Sequence, residues 1–394
     1  MRSRSPAQSG QGPAAGLSLF RLRGSSEGGA GGRVGVTSLS DIETKIEGAP
    51  EGVHVAPKTV DDVVRVLRWA TESGTPVRVW GGGTRQKLGH PPTPGIVLST
   101  GRLSDIEVWE PDDLTVVAGA GIGVDELESR LGEKSQTAVL PEHPGAATLG
   151  GVLATGRASL RRARLLGPRE RVLEVTMVTG DGRVVRSGGR VVKNVSGFDL
   201  HRAAIGAFGS LGVIVQVCLK LWPVPRASAT ISNADPESVS RITRPLALLE
   251  TNDAWQLFAW GTPTDIDEIV AKTEGEGRAG LHWPEDPRGS YRWLLRVPPG
   301  RTAEAALRVR PWRFLAIHGS GELRLASEDV EGATDLRGWA EDIGGSLVLV
   351  DHPGEDAPLD PWGSPPSTLD LQRRLIAEFD PARIVNPGRL PGGL

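Results

Sequence analysis

The chain has 394 residues, 38% of them apolar, and a formal net charge of -3, which allows two or three domains with hydrophobic cores. Its basic residues are not concentrated in one block, which argues against a nucleic-acid surface, and no run of eighteen apolar residues predicts a transmembrane segment. The single cysteine, Cys218, lies in an apolar strand-like segment and excludes disulfides and cysteine-ligated clusters within this chain.

The first 35 residues are rich in Gly, Ser, Arg and Ala and bury too little apolar surface to offset the entropy of ordering. We therefore predict a disordered tail over residues 1–35. The same residues contain no continuous apolar segment followed by a cleavage site, so they do not read as a signal peptide. The expected location is the cytoplasm, with any attachment to a membrane made through partner subunits.

A small β-α-β layer is predicted next. Strand-like segments at Gly52–Pro57, Val77–Trp80 and Gly95–Ser99 surround a helix that begins after Thr59 and ends at Gly74. Thr59 is a suitable N-cap, and apolar residues recur at helical spacing between these limits.

The following region predicts an antiparallel second layer. The segments IEVWEPDDLTVVAGAG and RVLEVTMVTGDGRVVRSG each contain two strand-like runs around a strong turn signal. A short helix is expected at Val124–Leu131. In the segment Val192–Val224, a turn punctuated by Gly206, Gly209 and Gly212 precedes a β-branched run, which predicts a buried strand.

Residues 227–369 have weaker patterns and are interpreted as a separate α+β cap. A final helix at Asp370–Phe379 leads to an NPGR segment, so residues 370–394 are predicted to return to the first domain. The cap is rich in tryptophan, and three interpretations stay open: core residues, a wall of a substrate site, or a protein interface. These tryptophans are Trp255, Trp260, Trp283, Trp293, Trp312, Trp339 and Trp362.

Three consecutive glycines, Gly81, Gly82 and Gly83, follow a strand and precede Thr84. Backbone N–H groups in such a loop can point into one concavity and bind a pyrophosphate, and the Thr84 hydroxyl can add a donor. No Gly-Lys-Ser/Thr follows, so the loop is not the phosphate loop of a nucleoside-triphosphate hydrolase. A plain turn is the alternative interpretation.

A second glycine-rich loop is predicted in PGAATLGGVLATG, which begins at Pro144. Its glycines let the main chain pass close to a planar ligand, and Thr148 and Thr155 offer hydroxyl donors to phosphate or ring edges. A glycine-rich loop packed under a sheet is the alternative interpretation.

The segments VRVWGGGTRQKLG, HPGAATLGGVLATG, Val192–Val224 and FDPARIVNPGRL, in this order, resemble the FAD-binding domain of the vanillyl-alcohol oxidase type, also called PCMH-type. Within that family, the likeness is greatest to the FAD-binding E subunits of glycolate oxidase. The resemblance implies an α+β fold. It implies a two-layer PCMH-type domain at 36–226, made of a small β-α-β subdomain and an antiparallel sheet subdomain. A small α+β cap would follow at 227–369.

The resemblance also implies a site for non-covalent FAD. The first loop would hold the pyrophosphate, and the second would line the pyrophosphate and the isoalloxazine. Family members with covalent flavin use a His in or next to the first loop, whereas this loop reads GGGTRQK and His90 lies beyond it. The implied cofactor residues are Gly81, Gly82, Gly83, Thr84, Pro144, Gly145, Thr148, Gly150, Gly151, Thr155, Gly212, Val213, Ile214 and Asn386.

No metal site and no catalytic side chain are predicted. Related D-2-hydroxyacid dehydrogenases carry a His-x-Gly-Asp-Gly-Asn-x-His motif that helps to bind metal and substrate, and the nearest segment here is IHGSGELR. Ile317 and Arg324 stand where its histidines should be, which removes the imidazole nitrogens that a divalent metal would use. Arg324 is able to hold a carboxylate bidentately, although a solvated arginine is the expected state.

Three functions follow as hypotheses. The first is an FAD-binding subunit of a glycolate-oxidase-like complex, in which electrons from a small 2-hydroxy acid pass to flavin and on to partners, a larger flavoprotein subunit and an iron–sulfur subunit. The second is a stand-alone FAD-dependent alcohol or hydroxy-acid oxidoreductase whose substrate binds in the cap. The third is a non-catalytic scaffold that holds FAD as a structural element.

Overall fold

The computed structural model describes residues 39–394 apart from positions 91, 191–198, 240, 241 and 243. The predicted tail at 1–35 and the start of the glycine-turn segment, Val192–Phe198, lie outside the described residues. Residues Ser38–Leu394 form one compact unit.

The first layer contains β1 (Val53–Val55), α1 (Val60–Ser73), β2 (Val77–Trp80) and β3 (Ile96–Ser99). The strands form a parallel sheet in the order β1-β3-β2, and with α1 they make the β-α-β layer that the sequence predicts. Helix α1 starts where the Thr59 hydroxyl accepts a hydrogen bond from the Asp62 N–H, and it ends at Gly74, whose φ is +66°. Val63 and Leu67 lie on the face that the helix buries, and each such side chain contributes about 1.5–3 kcal/mol.

The second layer is a five-stranded antiparallel sheet. Its strands are β4 (Ile106–Glu110), β5 (Thr115–Gly119), β7 (Val172–Val178), β8 (Val184–Gly188) and β9 (Val213–Lys220), and a short β6 (Gln136–Thr137) pairs with β10 (Trp222–Pro223). The order is β4-β5-β9-β7-β8. Both predicted hairpins are present, and β9 lies in the middle of the sheet because six of its eight residues are apolar and buried.

Five helices accompany this layer: α2 (Val124–Gly132), α3 (Leu149–Thr155), α4 (Arg162–Leu165), α5 (Pro168–Arg171) and α6 (Leu200–Ala204). Helix α3 corrects the sequence prediction, which made PGAATLGGVLATG a loop throughout. Thr148 caps this helix and Gly156 ends it with a φ of +65°. Leu149, Val152 and Leu153 are buried against the second layer, and this burial outweighs the poor helix propensity of the paired glycines.

The cap contains the largest sheet in the described part of the chain, so the prediction of a small cap is corrected. Its eight antiparallel strands have the order β14-β11-β13-β12-β16-β17-β15-β18. The strands are β11 (Ala227–Ser232), β12 (Ala247–Thr251), β13 (Trp255–Gly261), β14 (Glu276–Ala279), β15 (Tyr291–Arg296), β16 (Arg313–Ile317), β17 (Glu322–Ser327) and β18 (Ser346–Asp351). The helices are α7 (Pro236–Val239), α8 (Pro263–Lys272), α9 (Thr302–Arg308) and α10 (Ala333–Asp342).

Most tryptophans of the cap pack in hydrophobic clusters with other cap residues, whereas Trp362 contacts Phe208 of the first domain and donates to the Arg389 carbonyl. Trp293 is 2% exposed and lies 5.6 Å from Trp312, while Trp283 stacks on Phe258 at 4.1 Å. None of the exposed large apolar residues in the described chain is a tryptophan. Of the three interpretations, a core role therefore has the most support.

The last helix, α11 (Leu369–Phe379), leads the chain back to the first layer. Val385 forms a parallel bridge with Val77, and the Asn386 N–H donates to the Val77 carbonyl (2.8 Å). The C-terminal segment thus extends the β2 edge of the first sheet. No helix in the described part of the chain has the length and apolar character that a membrane crossing requires.

Candidate cofactor cleft and adjoining arginine pocket

A cavity of about 670 Å³ opens where β2, α3, the turn before β9 and the C-terminal segment meet; we call it the glycine cleft. Eleven of the predicted cofactor residues line it: Gly81, Gly82, Gly83, Thr84, Thr148, Gly150, Gly151, Thr155, Gly212, Ile214 and Asn386.

Pro144, Gly145 and Val213 do not line the glycine cleft. Val213 is fully buried and packs in the core of the first layer, because its side chain leaves β9 on the opposite face from that of Ile214. Pro144 and Gly145 lie in the turn before α3, where the Pro144 carbonyl accepts a hydrogen bond from the Ala147 N–H (3.2 Å).

The loop after β2 lines the glycine cleft and contains unpaired backbone donors. Within the described residues, the N–H groups of Gly82, Gly83 and Thr84 make no hydrogen bond to the protein. A run of free N–H groups beside a cavity is suited to binding phosphate oxygens. The three consecutive glycines in the sequence predict such a loop, with N–H groups free to bind a pyrophosphate.

Several glycines of the cleft are also required by protein packing. A Cβ at Gly82 would overlap the Ala146 carbonyl, and one at Gly150 would lie 2.8 Å from the Ala120 Cβ. At Gly151, in contrast, a Cβ would meet only the Thr148 hydroxyl, at 3.2 Å. A larger residue at Gly82 or Gly150 therefore disturbs the fold as well as the space for a ligand.

The two threonines of α3 use their hydroxyls within the helix, which the sequence does not predict. The Thr148 hydroxyl accepts from the Gly151 N–H (3.3 Å), and the Thr155 hydroxyl donates to the Gly151 carbonyl (2.8 Å). The Gly150 N–H donates to the Ala120 carbonyl (2.7 Å). These groups hold α3 in place beside the cleft, and the free donors come from the loop after β2.

Asn386 joins the C-terminal segment to two walls of the glycine cleft. Its Oδ1 accepts from the Val79 N–H (3.0 Å), and its Nδ2 donates to the Phe208 carbonyl (2.9 Å). Asn386 is 1% exposed and has a φ of +47°, a conformation that asparagine tolerates better than most residues. Its side chain therefore fixes the position of the walls.

Sequence reasoning missed Arg389, although it identified the NPGR segment that contains it. Arg389 lines the glycine cleft, and its buried Nε has no hydrogen-bond partner in the described structure. Burial and the neighbouring Arg78 lower the pKa of Arg389 to about 10. Since no carboxylate lines the described cleft, this guanidinium gives it a positive charge that suits a phosphate group.

A second cavity of about 600 Å³ adjoins the glycine cleft, and Arg85 and Thr155 line both. We call it the arginine pocket, because the first domain supplies Arg85 and Arg157 and the cap supplies three more arginines. The three from the cap are Arg292, Arg296 and Arg324. Sequence reasoning missed four of the five, since they are distant in sequence and meet only where the cap covers the first domain.

Asp286 is the shared partner of three guanidinium groups in the arginine pocket. Its carboxylate lies 2.6 Å from Arg324 Nη1, 3.2 Å from Arg157 Nη2 and 3.9 Å from Arg85 Nη2. Although burial opposes ionisation, the three arginines hold the pKa of Asp286 below its ordinary value. Asp286 is therefore ionised at neutral pH.

Arg324 is buried, so the expectation of a solvated arginine is wrong. It is 8% exposed, and its Nη2 donates to the Ala158 carbonyl (2.8 Å). Glu322, also in the arginine pocket, forms an ion pair with Arg162. The IHGSGELR hairpin thus supplies two residues to the arginine pocket: Arg324, at one of the two histidine positions of the related motif, and Glu322, at its asparagine position.

The described residues contain no group of three or more His, Cys, Asp or Glu side chains that is suited to a metal ion. None of the histidines in this part of the chain lines either cavity. His318, in the hairpin, lies 2.9 Å from Glu250 and stacks on Trp255.

Comparison with known proteins assigns the first domain. Residues 52–188 match the family model described as FAD binding domain. They are an FAD-binding domain of the PCMH type. The glycine cleft fits this cofactor. Its free N–H groups and two arginines suit a pyrophosphate, and no carboxylate occurs among its described lining residues. FAD is the cofactor of this chain.

The FAD-binding domain occurs in relatives of different length. A D-lactate dehydrogenase of Archaeoglobus fulgidus is 36% identical over 177 residues, which cover 44% of this chain and 39% of that protein. The glycolate oxidase subunit GlcE of Escherichia coli is 28% identical over 340 residues, which cover 82% of this chain and 94% of that subunit. The chain therefore spans less than half of the dehydrogenase but nearly all of GlcE.

A solved structure of alkyldihydroxyacetonephosphate synthase has the same fold. It superposes with a TM-score of 0.61 at 15% identity and covers 86% of this chain and 77% of the synthase. The similarity extends beyond the FAD-binding domain into the cap.

Proposed function

We propose that the chain is an FAD-dependent oxidoreductase and that it acts as the FAD-binding subunit of a complex that oxidises a small 2-hydroxy acid. The observation that carries the proposal is the junction of two cavities. A cleft suited to FAD meets, at Arg85 and Thr155, a pocket of guanidinium groups suited to a carboxylate. The likeness to GlcE along nearly its whole length supports the role of a subunit.

FAD supplies the redox chemistry, because its flavin ring accepts a hydride or electrons. The chain would bind the pyrophosphate with the free N–H groups of Gly82, Gly83 and Thr84 and would balance its charge with Arg389. The arginine pocket would orient the acid beside the flavin. The cap sheet covers this pocket, so it would also limit the access of water to the reacting atoms.

A stand-alone flavoenzyme is the second candidate, and one observation favours it. The arginine pocket lies between the FAD-binding domain and the cap of one chain, so a substrate site does not have to come from a partner. The two candidates predict different behaviour of the isolated chain.

The deciding experiment is an anaerobic titration of the purified holoprotein with a series of small 2-hydroxy acids, with one and with two carboxylates, followed by visible flavin absorbance. Loss of the oxidised flavin bands would support the stand-alone enzyme. Flavin that stays oxidised alone, but is reduced when the chain co-purifies with a larger flavoprotein and an iron–sulfur protein, would support the subunit. If neither preparation is reduced by any 2-hydroxy acid, the proposed function is wrong.

We also propose that the FAD is bound without a covalent link, since the described cleft lining contains neither histidine nor cysteine. Acid precipitation should release the flavin into the supernatant. Yellow colour that stays in the pellet would contradict this proposal.

A further inference from the structure

The arginine pocket has more positive charge than its own carboxylates neutralise. Among the described residues, five arginines and two acidic residues, Asp286 and Glu322, line it. Asp351 pairs with Arg292 at the edge, but Arg162 adds a further cation beside Glu322. Guanidinium groups keep their charge in proteins, so the pocket retains an excess of positive charge at neutral pH.

Arg85 and Arg157 are the least well compensated of these cations. The one carboxylate within 4 Å of Arg85 in the described chain is that of Asp286, at 3.9 Å. Arg157 shares the same Asp286 oxygen at 3.2 Å, and its buried Nε has no hydrogen-bond partner. Both side chains are largely buried, at 20% and 14% exposure.

Burying the guanidinium groups of Arg85 and Arg157 without a bound anion costs free energy. Desolvation, followed by repulsion from Arg157, lowers the pKa of Arg85 to about 9. A bound carboxylate would supply the missing hydrogen-bond acceptors and relieve the repulsion between the two guanidinium groups.

We infer that the arginine pocket binds a short dicarboxylic acid, with one carboxylate held by Arg85 and Arg157 and the second attracted by the remaining excess of positive charge. The inference rests on the proposed function in that this acid would be the substrate. Leu88, Leu294 and Val350 form an apolar wall that suits the carbon chain between the two carboxylates.

Asp286 competes with an incoming acid for the arginines of the pocket. Its carboxylate occupies hydrogen-bond positions on Arg157 and Arg324 and reduces the charge that an incoming acid meets. Removing its charge should therefore strengthen the binding of a dianion, whereas a purely structural ion pair would give no such gain.

The test is the binding of malonate, a dicarboxylate without an oxidisable hydroxyl, to the FAD-loaded protein by calorimetry. Acetate is the monoanionic comparison. Malonate should bind roughly tenfold or more tightly than acetate, because a second unit charge interacts with the partly buried cations. Arg85→Gln and Arg157→Gln should each weaken malonate binding by about tenfold, and Asp286→Asn should strengthen it by a similar factor. Arg130→Gln is the control, since Arg130 is exposed and lies outside both cavities.

FAD content is measured first in every variant, because Arg85 also lines the glycine cleft. If a variant does not fold, the salt dependence of the unmodified protein decides: malonate affinity should fall more steeply with added NaCl than acetate affinity. Equal affinities for malonate and acetate, or unchanged malonate binding in both arginine variants, would overturn the inference.

These results are separable from a failure of the proposed function. One outcome is that malonate binds in an arginine-dependent way while no hydroxy acid reduces the flavin, either in the isolated holoprotein or with its partners. That result would support the dicarboxylate site and refute the proposed reaction. Flavin reduction by hydroxy acids, without malonate binding, would support the proposed reaction and refute the dicarboxylate site.

Discussion

At the scale of single residues, a substitution at Gly151 can test cofactor binding without disturbing the packing of the fold. Other glycines of the glycine cleft abut protein atoms, so their substitution would disturb packing first. Gly151 lies in the first turn of α3, lines the cleft and would place a Cβ only against the Thr148 hydroxyl.

We expect Gly151→Leu to fold normally but to lose most of its bound FAD, because the new side chain fills the cleft while improving helix propensity by up to about 1 kcal/mol. The measurement is the ratio of flavin to protein, with far-ultraviolet circular dichroism as the check on folding. Gly338→Leu is the matched control, since Gly338 is also helical and has open space around it. Full flavin content in Gly151→Leu would remove Gly151 from the cofactor site.

Asn386 is the second residue whose role is open to a direct test. Asn386→Leu leaves the buried Val79 N–H and Phe208 carbonyl without partners and places a branched side chain at a φ of +47°. We expect a loss of about 2–4 kcal/mol in the free energy of unfolding, together with weaker FAD binding.

Chemical denaturation of the apoprotein measures the loss in stability. Asn233→Leu is the control, because Asn233 has a similar φ of +52° but is exposed, with one weak hydrogen bond of 3.4 Å to Glu276. If both variants lose the same stability, backbone strain alone accounts for the effect and the hydrogen bonds of Asn386 are not needed.

At the scale of elements, Asp380 ties the end of α11 to the segment that reaches the glycine cleft. Its Oδ2 accepts from the Val385 N–H (2.8 Å), and its Oδ1 is buried without a partner. Burial raises the pKa of the Asp380 carboxyl above its ordinary value. The folded protein therefore binds this proton more tightly than the unfolded chain does.

The stabilisation from this proton is full below the unfolded-state pKa of about 3.9 and is lost as the pH rises through the higher folded-state pKa. We therefore expect Asp380→Asn, which cannot ionise, to gain stability relative to the unmodified protein as the pH rises from acidic to neutral. Denaturant titrations at several pH values measure this difference.

Asp181→Asn supplies a control of opposite sign. Desolvation acts against ionisation of Asp181, but hydrogen bonds from Thr179 and Arg183 lower the pKa of this carboxyl. Its stabilisation is present above the unfolded-state pKa, so Asp181→Asn should lose stability towards neutral pH. The same trend in both variants would contradict the assignment for Asp380.

At the scale of the whole molecule, the glycine cleft joins segments that are far apart in the sequence. The loop at 81–86, helix α3, the turn at 208–214 and the segment at 386–389 all line it. A cofactor bound here should stabilise the entire fold, because it binds the assembled segments and not the unfolded chain.

We expect FAD at one hundred times its dissociation constant to add about 2.7 kcal/mol to the free energy of unfolding. Thermal denaturation with and without added FAD measures the effect. FMN at the same concentration should stabilise less, since it lacks the pyrophosphate link and the adenosine. Equal melting temperatures in the presence and absence of FAD would mean that the cofactor does not bridge these segments.

The local features of the fold can be predicted from the amino-acid sequence alone. The periodicity and capping of α1, the two hairpins and the buried β9 follow from residues close together in the chain, because helix and strand patterns depend on neighbours. The three glycines after β2 likewise indicate a loop with free N–H groups. The resemblance of four short segments was sufficient to predict FAD.

Features that depend on contacts between distant residues emerge from the folded structure. Leu149–Thr155 is a helix, because burial of its apolar residues outweighs the weak helix propensity of Gly150 and Gly151. The fold brings Arg85, Arg157 and Arg324 around Asp286, although nothing in their sequence spacing indicates a shared pocket. An isolated arginine in a sequence is expected to be solvated, and burial by another domain cannot be inferred from its neighbours in the chain.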